Sequence, residues 1–549
     1  MKKSIISFLL AALLISAAGC SGKTEQNTQT TPAASTSGII TSKKETVEIT
    51  AETTEVEVQD TRILNKTGRP KNQYDINIYF LEKTRAVEVE EKLTYINNTG
   101  SDLDEIYFNL IPEAFSKKNG GIKVSEFMTG SEALKLKQVK GTVYKTSLPF
   151  ILEKGKTVTI DMKYTVKIPK VSDRFGYNNN TYNLGNALIT PALFENGEWL
   201  CQPYIDLGDA FYTEISDYRV SINAPEEYLI ASTGTLKDNV YVAEDVRDFA
   251  FSVFKDMDFL SEEHDGIALN VYYPKNVPYA GKHVMETAKR SLTLFNEKLG
   301  KYPYETLNMV LTAMPGGIGG MEYPGFIMMT INDFMTEPLF DLYNNKITLE
   351  EYLTQIGNTS SDPETNDDSG ESPVSMKTIT KAGLCHDVHS LTKSTSHEIA
   401  HQWFYGIVGN DEIRYPWIDE GLCRFMEAYY ENCCYAEYSD FSSFDLLSSV
   451  DEGIFDEAEK RPSGETHSVD LNRSLYDFKK QKEDYGEIYY KGAAMIYHMF
   501  EKMGDEAFFE ALKDYINTFA YTEVTPGQFR EFWSEKGDFT EMFDIYLKN

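Results

Sequence analysis

Residues 394–406 read STSHEIAHQWFYG and contain two histidines, His397 and His401, four positions apart. The chain of 549 residues has only eight histidines, so chance rarely produces this pair. On a helix, residues i and i+4 lie on one face about 6 Å apart, and both imidazoles can then face one metal ion. The hydroxyl residues at 394–396 could cap such a helix at its start. This stretch therefore predicts a metal-binding helix.

Glu398 follows the first histidine, turned about 100° around the helix axis. From that position its carboxylate would miss the metal but could act as general base toward a metal-bound water. Catalytic zinc takes three protein ligands and leaves a fourth position open, so a third ligand is needed. A second predicted helix, WIDEGLCRFMEAYYENC (417–433), supplies Glu420, with eighteen residues between it and His401.

This spacing resembles that of the gluzincins, zinc peptidases in which the Glu of an Asn-Glu-like pair completes the metal site. Here the pair is Asp419–Glu420. Taken alone, Glu420 would be interpreted as a solvated helix carboxylate, since acidic residues are mostly exposed. The combined motif instead indicates one zinc ion bound by His397, His401 and Glu420.

The stretch GGMEYPG (319–325) extends the resemblance to the aminopeptidase N family of zinc peptidases. It is similar to the family's Gly-Ala-Met-Glu-Asn motif, which lies on an edge strand of the cleft and whose Glu binds the free α-amine of the substrate. The resemblance places that carboxylate at Glu322, and Tyr323 stands where the family usually has Asn. It also implies substrate-binding roles for the three preceding residues, Gly319, Gly320 and Met321.

Two further segments follow the family pattern. IYYKGAAMIYHMF (488–500) resembles the family's Tyr-x-Lys-Gly-Ala segment, whose Tyr stabilises the oxyanion. The register with the Lys-Gly-Ala triplet favours Tyr489 over its neighbour Tyr490. In EGLCRFMEAYY (420–430), Glu427 stands seven residues after the predicted zinc ligand. It could orient a ligand histidine or lie on the helix surface, and both interpretations stay open.

The resemblance implies a zinc-dependent peptide hydrolase, best described as an aminopeptidase that removes N-terminal residues by attack of a zinc-bound water. In that reaction Glu398 is the general base, and the metal and Tyr489 stabilise the oxyanion. About sixty residues follow Tyr489, which implies a member without the family's large C-terminal helical domain. The alternatives are an endopeptidase on the same zinc platform and a catalytically silent surface lipoprotein that binds peptides.

Short runs of alternating polar and apolar residues dominate from residue 71 to 262, separated by turn signals such as NNTGSD. Examples are YDINIYFLEK, AVEVEEKLTYI, KTVTIDMKYTV, DYRVSINAP and VRDFAFSVF. We therefore predict an N-terminal antiparallel β domain over 71–262. Strand and helix patterns mix from 263 to 549, and the resemblance implies a thermolysin-like α+β zinc peptidase domain there. The polar stretch 356–375 is predicted as a surface loop.

The N-terminus predicts export. Lys2 and Lys3 precede the apolar run IISFLLAALLISA, and AAG then leads into Cys20. This arrangement resembles a bacterial lipobox, which implies a signal peptide over 1–20 and lipidation of Cys20; an ordinary secretory signal is the alternative. Residues 21–70 are rich in Ser, Thr, Gln and Lys and predict a flexible tether. We expect a lipoprotein on the bacterial cell membrane, facing outward and acting on peptides.

The overall charge excludes one class of partner. Lys and Arg number 53 against 85 Asp and Glu, a formal net charge of −32, which would repel nucleic acid. Beyond Cys20 the cysteines show neither C-x-x-C spacing nor a regular disulfide framework, and we assign them no chemistry. They are Cys201, Cys385, Cys423, Cys433 and Cys434.

Overall fold

The computed structural model describes residue 68 and residues 70–314, 318–331, 336–356, 381–435, 443–459, 470–481 and 485–547. The predicted signal peptide, its lipidation site Cys20 and almost all of the predicted tether lie outside the described residues. So does the polar stretch predicted as a surface loop, apart from its first residue.

Strands form in the N-terminal half because polar and apolar side chains alternate there. In the strand Ala86–Ile96, every second side chain from Val87 to Tyr95 is buried, and this inward face includes Glu91. Such a pattern lets one side of a strand contribute to a core while the other meets water. The buried faces of this half form one hydrophobic cluster drawn from residues 74–253.

The sheets of this half hold eight, four, four and two strands. Most neighbours run antiparallel, whereas β1 pairs with β14 in parallel. The strands in chain order are β1 (Asn72–Leu81), β2 (Ala86–Ile96), β3 (Leu103–Asn109), β4 (Gly121–Thr129), β5 (Glu132–Ala133), β6 (Lys137–Lys140), β7 (Val143–Leu152), β8 (Thr157–Lys167), β9 (Phe175–Asn178), β10 (Thr181–Leu184), β11 (Thr190–Pro191), β12 (Phe194–Glu195), β13 (Glu198–Trp199), β14 (Ser216–Asn223), β15 (Leu229–Ser232), β16 (Thr235–Lys237), β17 (Val240–Val246) and β18 (Phe251–Phe254). A 3₁₀ helix, Ile111–Lys118, interrupts them.

The second half begins with a five-stranded sheet in the order β19-β20-β21-β23-β22. The predicted domain boundary at 262 falls inside β19, which pairs antiparallel with β20, and the division of the chain there stays a prediction. The strands of this half are β19 (Met257–His264), β20 (Ile267–Pro274), β21 (Thr306–Thr312), β22 (Gly320–Met321), β23 (Phe326–Thr330), β24 (Val408–Gly409) and β25 (Thr522–Glu523).

Helices follow the sheet, and the first of them ends before Gly300, whose φ is 102°. They are α1 (Pro278–Leu299), α2 (Glu337–Tyr343), α3 (Leu349–Gln355), α4 (Lys381–Leu384), α5 (His386–Ala400), α6 (Trp417–Tyr435), α7 (Ser443–Glu459), α8 (Leu475–Gln481), α9 (Glu487–Met503), α10 (Asp505–Phe519), α11 (Pro526–Lys536) and α12 (Thr540–Tyr546).

The histidine helix starts earlier than the sequence suggests. Because α5 begins at His386, the hydroxyl residues 394–396 lie in its interior, and their predicted capping role is wrong. Val388, Leu391 and Thr395 are buried and continue the apolar face of the helix toward its start. This face packs into a second hydrophobic cluster drawn from residues 267–547.

The predicted fold class is confirmed: a many-stranded N-terminal β domain precedes an α+β domain. Within the described ranges, every helix is too short or too polar to cross a membrane. The five described cysteines are free thiols.

Candidate active site

Three side chains from two helices converge at one point. Nε2 of His397 on α5 lies 3.1 Å from Oε2 of Glu420 on α6. Nε2 of His401 lies 3.2 Å from Nε2 of His397 and 3.4 Å from Oε2 of Glu420. Ligand atoms about 2.0–2.1 Å from a tetrahedral zinc ion stand about 3.3 Å apart. The donor set and its spacing therefore fit one zinc ion, as the sequence predicts.

Each histidine makes a second contact through Nδ1, the ring nitrogen that does not face the convergence point. Nδ1 of His401 lies 3.0 Å from the carbonyl oxygen of Phe404. Nδ1 of His397 lies 3.3 Å from Oε2 of Glu427, an electrostatic contact rather than a well-aligned hydrogen bond. Glu427 is 3% exposed and is itself paired with Arg424. The surface position considered for Glu427 is therefore wrong, and its contact with His397 is the one expected of a carboxylate that orients a metal-binding histidine.

Burial and charge set the proton affinities of the site. Burial disfavours the charged form of His397, but its interactions with the carboxylates of Glu420 and Glu427 outweigh this effect and raise the pKa of His397 to about 9. Burial raises the pKa of the Glu420 carboxyl, yet its bonds to His397 and His401 hold that pKa well below its ordinary value. Glu420 is thus anionic at neutral pH, whereas His397 is protonated. His397 must therefore lose its proton before its ring nitrogen can bind a cation.

Glu398 is not one of the three convergent side chains, but its carboxylate forms a second group with Glu322 and His401, with ligand atoms within 4.8 Å of one another. It is 5% exposed, and burial raises its pKa to about 7, although the neighbouring His397 and His401 act in the opposite direction. A β-carbon added to Gly320 would lie 2.4 Å from Oε1 of Glu398, so this glycine leaves the room that the carboxylate occupies. A carboxyl group with a pKa near neutrality suits proton transfer.

The GGMEYPG segment forms the edge of the sheet next to this carboxylate. Its strand β22 pairs with β23, where Met321 lies opposite Met328. The side chain of Gln402, next to the second histidine, accepts from the N–H of Gly325 at 2.8 Å and lies 3.3 Å from the carbonyl oxygen of Glu322. A β-carbon on Gly319 would lie 2.6 Å from Oγ of Ser394. The segment is thereby fixed against α5.

Glu322 is buried, with 4% of its surface exposed, and its Oε1 has no hydrogen-bond partner among the described residues. One of its carboxylate oxygens lies within 4.8 Å of ligand atoms of Glu398 and His401. Burial, reinforced by the charge of Asp209, raises the pKa of Glu322 well above its ordinary value. An unpartnered buried carboxylate is unfavourable unless a ligand completes it.

Tyr323, the departure from the family motif, faces the N-terminal half. Its ring is fully buried and its hydroxyl donates to Oδ1 of Asn186 at 2.8 Å. A β-carbon on Gly185 would lie 2.0 Å from that hydroxyl, so Gly185 makes space for it.

The predicted oxyanion residue reaches the site from α9. The Tyr489 hydroxyl donates to Oε1 of Glu420 at 2.5 Å. The approach is close because two glycines meet where α6 and α9 cross: a β-carbon on Gly421 would lie 3.0 Å from the carbonyl carbon of Gly492. Tyr490 is 43% exposed and does not share this position, so the structure favours Tyr489 of the two.

Sequence reasoning missed one charged pair at the site. Arg174 and Asp209, from the N-terminal half, form a buried ion pair. Arg174 also donates to the carbonyl oxygen of Gly208 at 3.1 Å. The charge of Asp209 acts on Glu322 and Glu420. Neither a periodic pattern nor a run of charges marks these residues in the sequence.

Comparisons with known proteins agree with this geometry. Residues 376–546 match the Peptidase family M1 domain. The chain is 20% identical over 350 residues to Aminopeptidase 2 of Candida albicans, covering 61% of this chain and 32% of that one. It is 27% identical over 156 residues to Leukotriene A-4 hydrolase of Xenopus laevis, covering 28% of this chain and 25% of that one. It thus spans a third or less of the length of these relatives.

Solved structures share the fold. The M1 zinc metallopeptidase of Deinococcus radiodurans superposes with a TM-score of 0.52 at 15% identity, covering 87% of this chain and 93% of that one. A mutant of the same enzyme gives a TM-score of 0.51 at 14% identity, covering 85% and 90%. The domain matched by residues 376–546, the relatives, the shared fold and the geometry of His397, His401 and Glu420 together support the predicted resemblance to the aminopeptidase N-like gluzincins.

Proposed function

We propose that the protein is a zinc-dependent aminopeptidase. The observation that carries this proposal is the Glu322 carboxylate, buried without a hydrogen-bond partner for Oε1 among the described residues and within 4.8 Å of ligand atoms of Glu398 and His401. A substrate ammonium bound to Glu322 would place the first peptide bond of the substrate beside Glu398 and His401. Cleavage would then fall after the first residue of a peptide.

His397, His401 and Glu420 would hold the ion. A bound zinc ion supplies Lewis-acid polarisation of the scissile carbonyl and makes the attacking water more acidic. Glu398 accepts the proton of that water and delivers it to the leaving amine. Its pKa of about 7 supports both steps, because a group titrating near neutrality exchanges a proton readily in either direction.

Tyr489 is placed to stabilise the negative charge that develops on the carbonyl oxygen. Its hydroxyl, which donates to Glu420 in the free site, would turn toward that oxygen in the transition state. The ammonium site would be acidic overall, because Asp209 lies near Glu322 although Arg174 neutralises part of its charge.

A comparison of free and N-acetylated aminoacyl-fluorophore amides tests the proposal. Wild type should cleave only the free series, and Glu322→Gln should lower kcat/KM for that series by about 10–100-fold, the range for a hydrogen bond to a charged group. Glu88→Gln, at an exposed strand position, is the matched control. Equal cleavage of blocked substrates would identify an endopeptidase. Bound zinc without cleavage of either series would indicate a silent peptide-binding protein.

We also propose that the protein is exported and anchored through lipidated Cys20. The sequence supports this, since Lys2 and Lys3, the apolar run and AAG precede that cysteine. Metabolic labelling with a radioactive fatty acid should mark wild type in bacterial membranes. Cys20→Ser should carry no label, and labelling of that variant would contradict the proposal.

A further inference from the structure

The loop after the zinc helix contains a tyrosine in a backbone conformation that tyrosine rarely adopts. Tyr405 has a φ of 109°. This region favours glycine, because the β-carbon of other residues crowds the backbone there. The residue is also buried, with 3% of its surface exposed. Such a conformation persists only where surrounding contacts hold it, and it occurs preferentially at functional sites.

Two adjacent residues of the N-terminal half hold Tyr405. They lie in the connection 247–250, between the end of β17 at Val246 and the start of β18 at Phe251. The Tyr405 hydroxyl donates to Oδ2 of Asp248, which is 5% exposed. Nε of Arg247 donates to the Tyr405 carbonyl oxygen at 2.7 Å. The side chain and the backbone of the tyrosine are therefore both fixed from outside its own loop.

The guanidinium of Arg247 is itself held by further hydrogen bonds. Its guanidinium donates to the carbonyl oxygen of Thr522 at 2.8 Å and to Oε1 of Glu523 at 2.7 Å. A β-carbon on Gly409 would lie 2.1 Å from its Cζ, so a glycine leaves the room for this side chain. The support beneath Tyr405 thus draws on three segments that are distant in the chain.

The strained residue is joined directly to a peptide group that contacts a zinc ligand. The carbonyl oxygen of Phe404 lies 3.0 Å from Nδ1 of His401, and it accepts a hydrogen bond when that nitrogen carries the proton. The N–H of Tyr405, in the same peptide group, donates to the carbonyl oxygen of Val408 at 2.8 Å. Relaxing φ of Tyr405 to a negative value would rotate this peptide group and turn its carbonyl away from the histidine.

We propose that Asp248 and Tyr405 are positioning residues that hold the Phe404 carbonyl against His401 and so aim the imidazole at the metal. The inference rests on the proposed function, because His401 matters here as a zinc ligand. Groups that orient metal-binding histidines typically contribute 10–100-fold to metal affinity. Neither Asp248 nor Tyr405 needs to touch the substrate for this role.

Zinc affinity of the purified full chain, measured by competition with a chromogenic chelator, tests the proposal. Tyr405→Phe and Asp248→Ala should each weaken zinc binding by about 10–100-fold. They should also alter the visible absorption spectrum of the Co²⁺-substituted protein. Asp248→Asn should bind zinc like wild type, because the amide oxygen can still accept from the tyrosine. In Asp248→Ala/Tyr405→Gly, glycine adopts the required φ without support, and affinity should recover.

Tyr164→Phe is the matched control, because Tyr164 donates to the buried carboxylate of Glu91 within the β domain. It should lower thermal stability without changing zinc affinity. The proposal is overturned if Tyr405→Phe behaves in the same way, with wild-type affinity and an unchanged Co²⁺ spectrum. If wild type binds zinc but cleaves no peptide, the proposed function fails while this affinity test still decides the positioning role.

Discussion

The hydroxyl of Tyr489 donates a hydrogen bond to Oε1 of Glu420 at 2.5 Å, so the residue that we propose for the oxyanion contacts a residue that we propose as a zinc ligand. In the proposed reaction the hydroxyl would leave this carboxylate for the substrate oxygen. The bond keeps the hydroxyl at the metal site, and the Glu420 carboxylate stays anionic.

Tyr489→Phe should therefore lower kcat on the order of 10²–10³-fold, the usual effect of losing one oxyanion donor. KM and zinc content should change little, because the metal ligands remain. Steady-state kinetics and metal analysis measure these quantities. Tyr490→Phe, next in sequence and 43% exposed, should leave kcat unaffected. A larger loss from the Tyr490 variant would reverse the assignment of the two residues.

Glu398→Gln should keep one zinc ion per chain and lose activity by about 10²–10⁴-fold, the range for a general base. The amide keeps the size of the side chain, so the close approach to Gly320 is preserved. Metal analysis of the same preparation separates loss of zinc from loss of catalysis. Glu487→Gln, a half-exposed carboxylate on α9, serves as control. Unchanged turnover in the Glu398 variant would remove it from the mechanism.

Gly421→Ala should force α6 and α9 apart. The new β-carbon would lie 3.0 Å from the carbonyl carbon of Gly492, which belongs to the backbone of α9 and cannot rotate away as a flexible side chain could. We expect a loss of about 1–3 kcal/mol in the free energy of unfolding, typical of overpacking. A fall in kcat should accompany it, since Tyr489 would move away from Glu420.

Gly453→Ala on α7 is the matched change, because no atom of the described residues lies within 4 Å of the added carbon. It should stabilise the protein by about 0.5–1 kcal/mol and leave kcat alone. Urea unfolding and kinetics of both variants give the comparison. Equal effects at the two glycines would mean that helix propensity, rather than helix contact, explains the first result.

The buried Glu91 should make stability depend on pH. Burial raises its pKa from 4.5 to about 8, although its bond from Tyr164 acts in the opposite direction. The folded state therefore holds the proton more tightly than the unfolded state. The stability from Glu91 is complete below pH 4.5 and is lost as pH rises toward about 8, at about 1.4 kcal/mol per pH unit.

Glu91→Gln removes this titration. The free energy of unfolding of the variant, measured in urea, should rise relative to wild type as pH increases from about 5 to about 8. Subtracting the free energies of unfolding of the two proteins at each pH removes the contribution of all other titrating groups. Parallel pH profiles would show that the carboxyl is not buried in the way described.

The sequence predicts much of the site because its parts obey local rules. His397 and His401 follow from helical spacing, and the strand Ala86–Ile96 coincides with the alternating run that predicts it. Glu420 and Tyr489 come from family resemblance, and the structure brings both to one point. These features depend on residues that are close in the chain or belong to a known motif.

Long-range features escape such reasoning. Arg174 and Asp209 meet across 35 positions, and nothing in either neighbourhood marks them as partners. The positive φ of Tyr405 is equally hidden, because it depends on contacts with residues more than 150 positions earlier. The early start of α5 was visible in the apolar spacing of residues 388, 391 and 395. The hydroxyl residues 394–396 instead favour a helix start just before His397, because such residues are common N-caps.

The ring of Tyr323 inserts into a space left by Gly185, and its hydroxyl ends on Asn186. The GGMEYPG segment beside Glu398 is thus held by both halves of the chain. A fragment starting at residue 257 would expose an apolar ring that is now fully buried and would lose the support of Arg247. The proposed peptidase activity should therefore require the β domain, and an exchange of catalytic domains between relatives should include it.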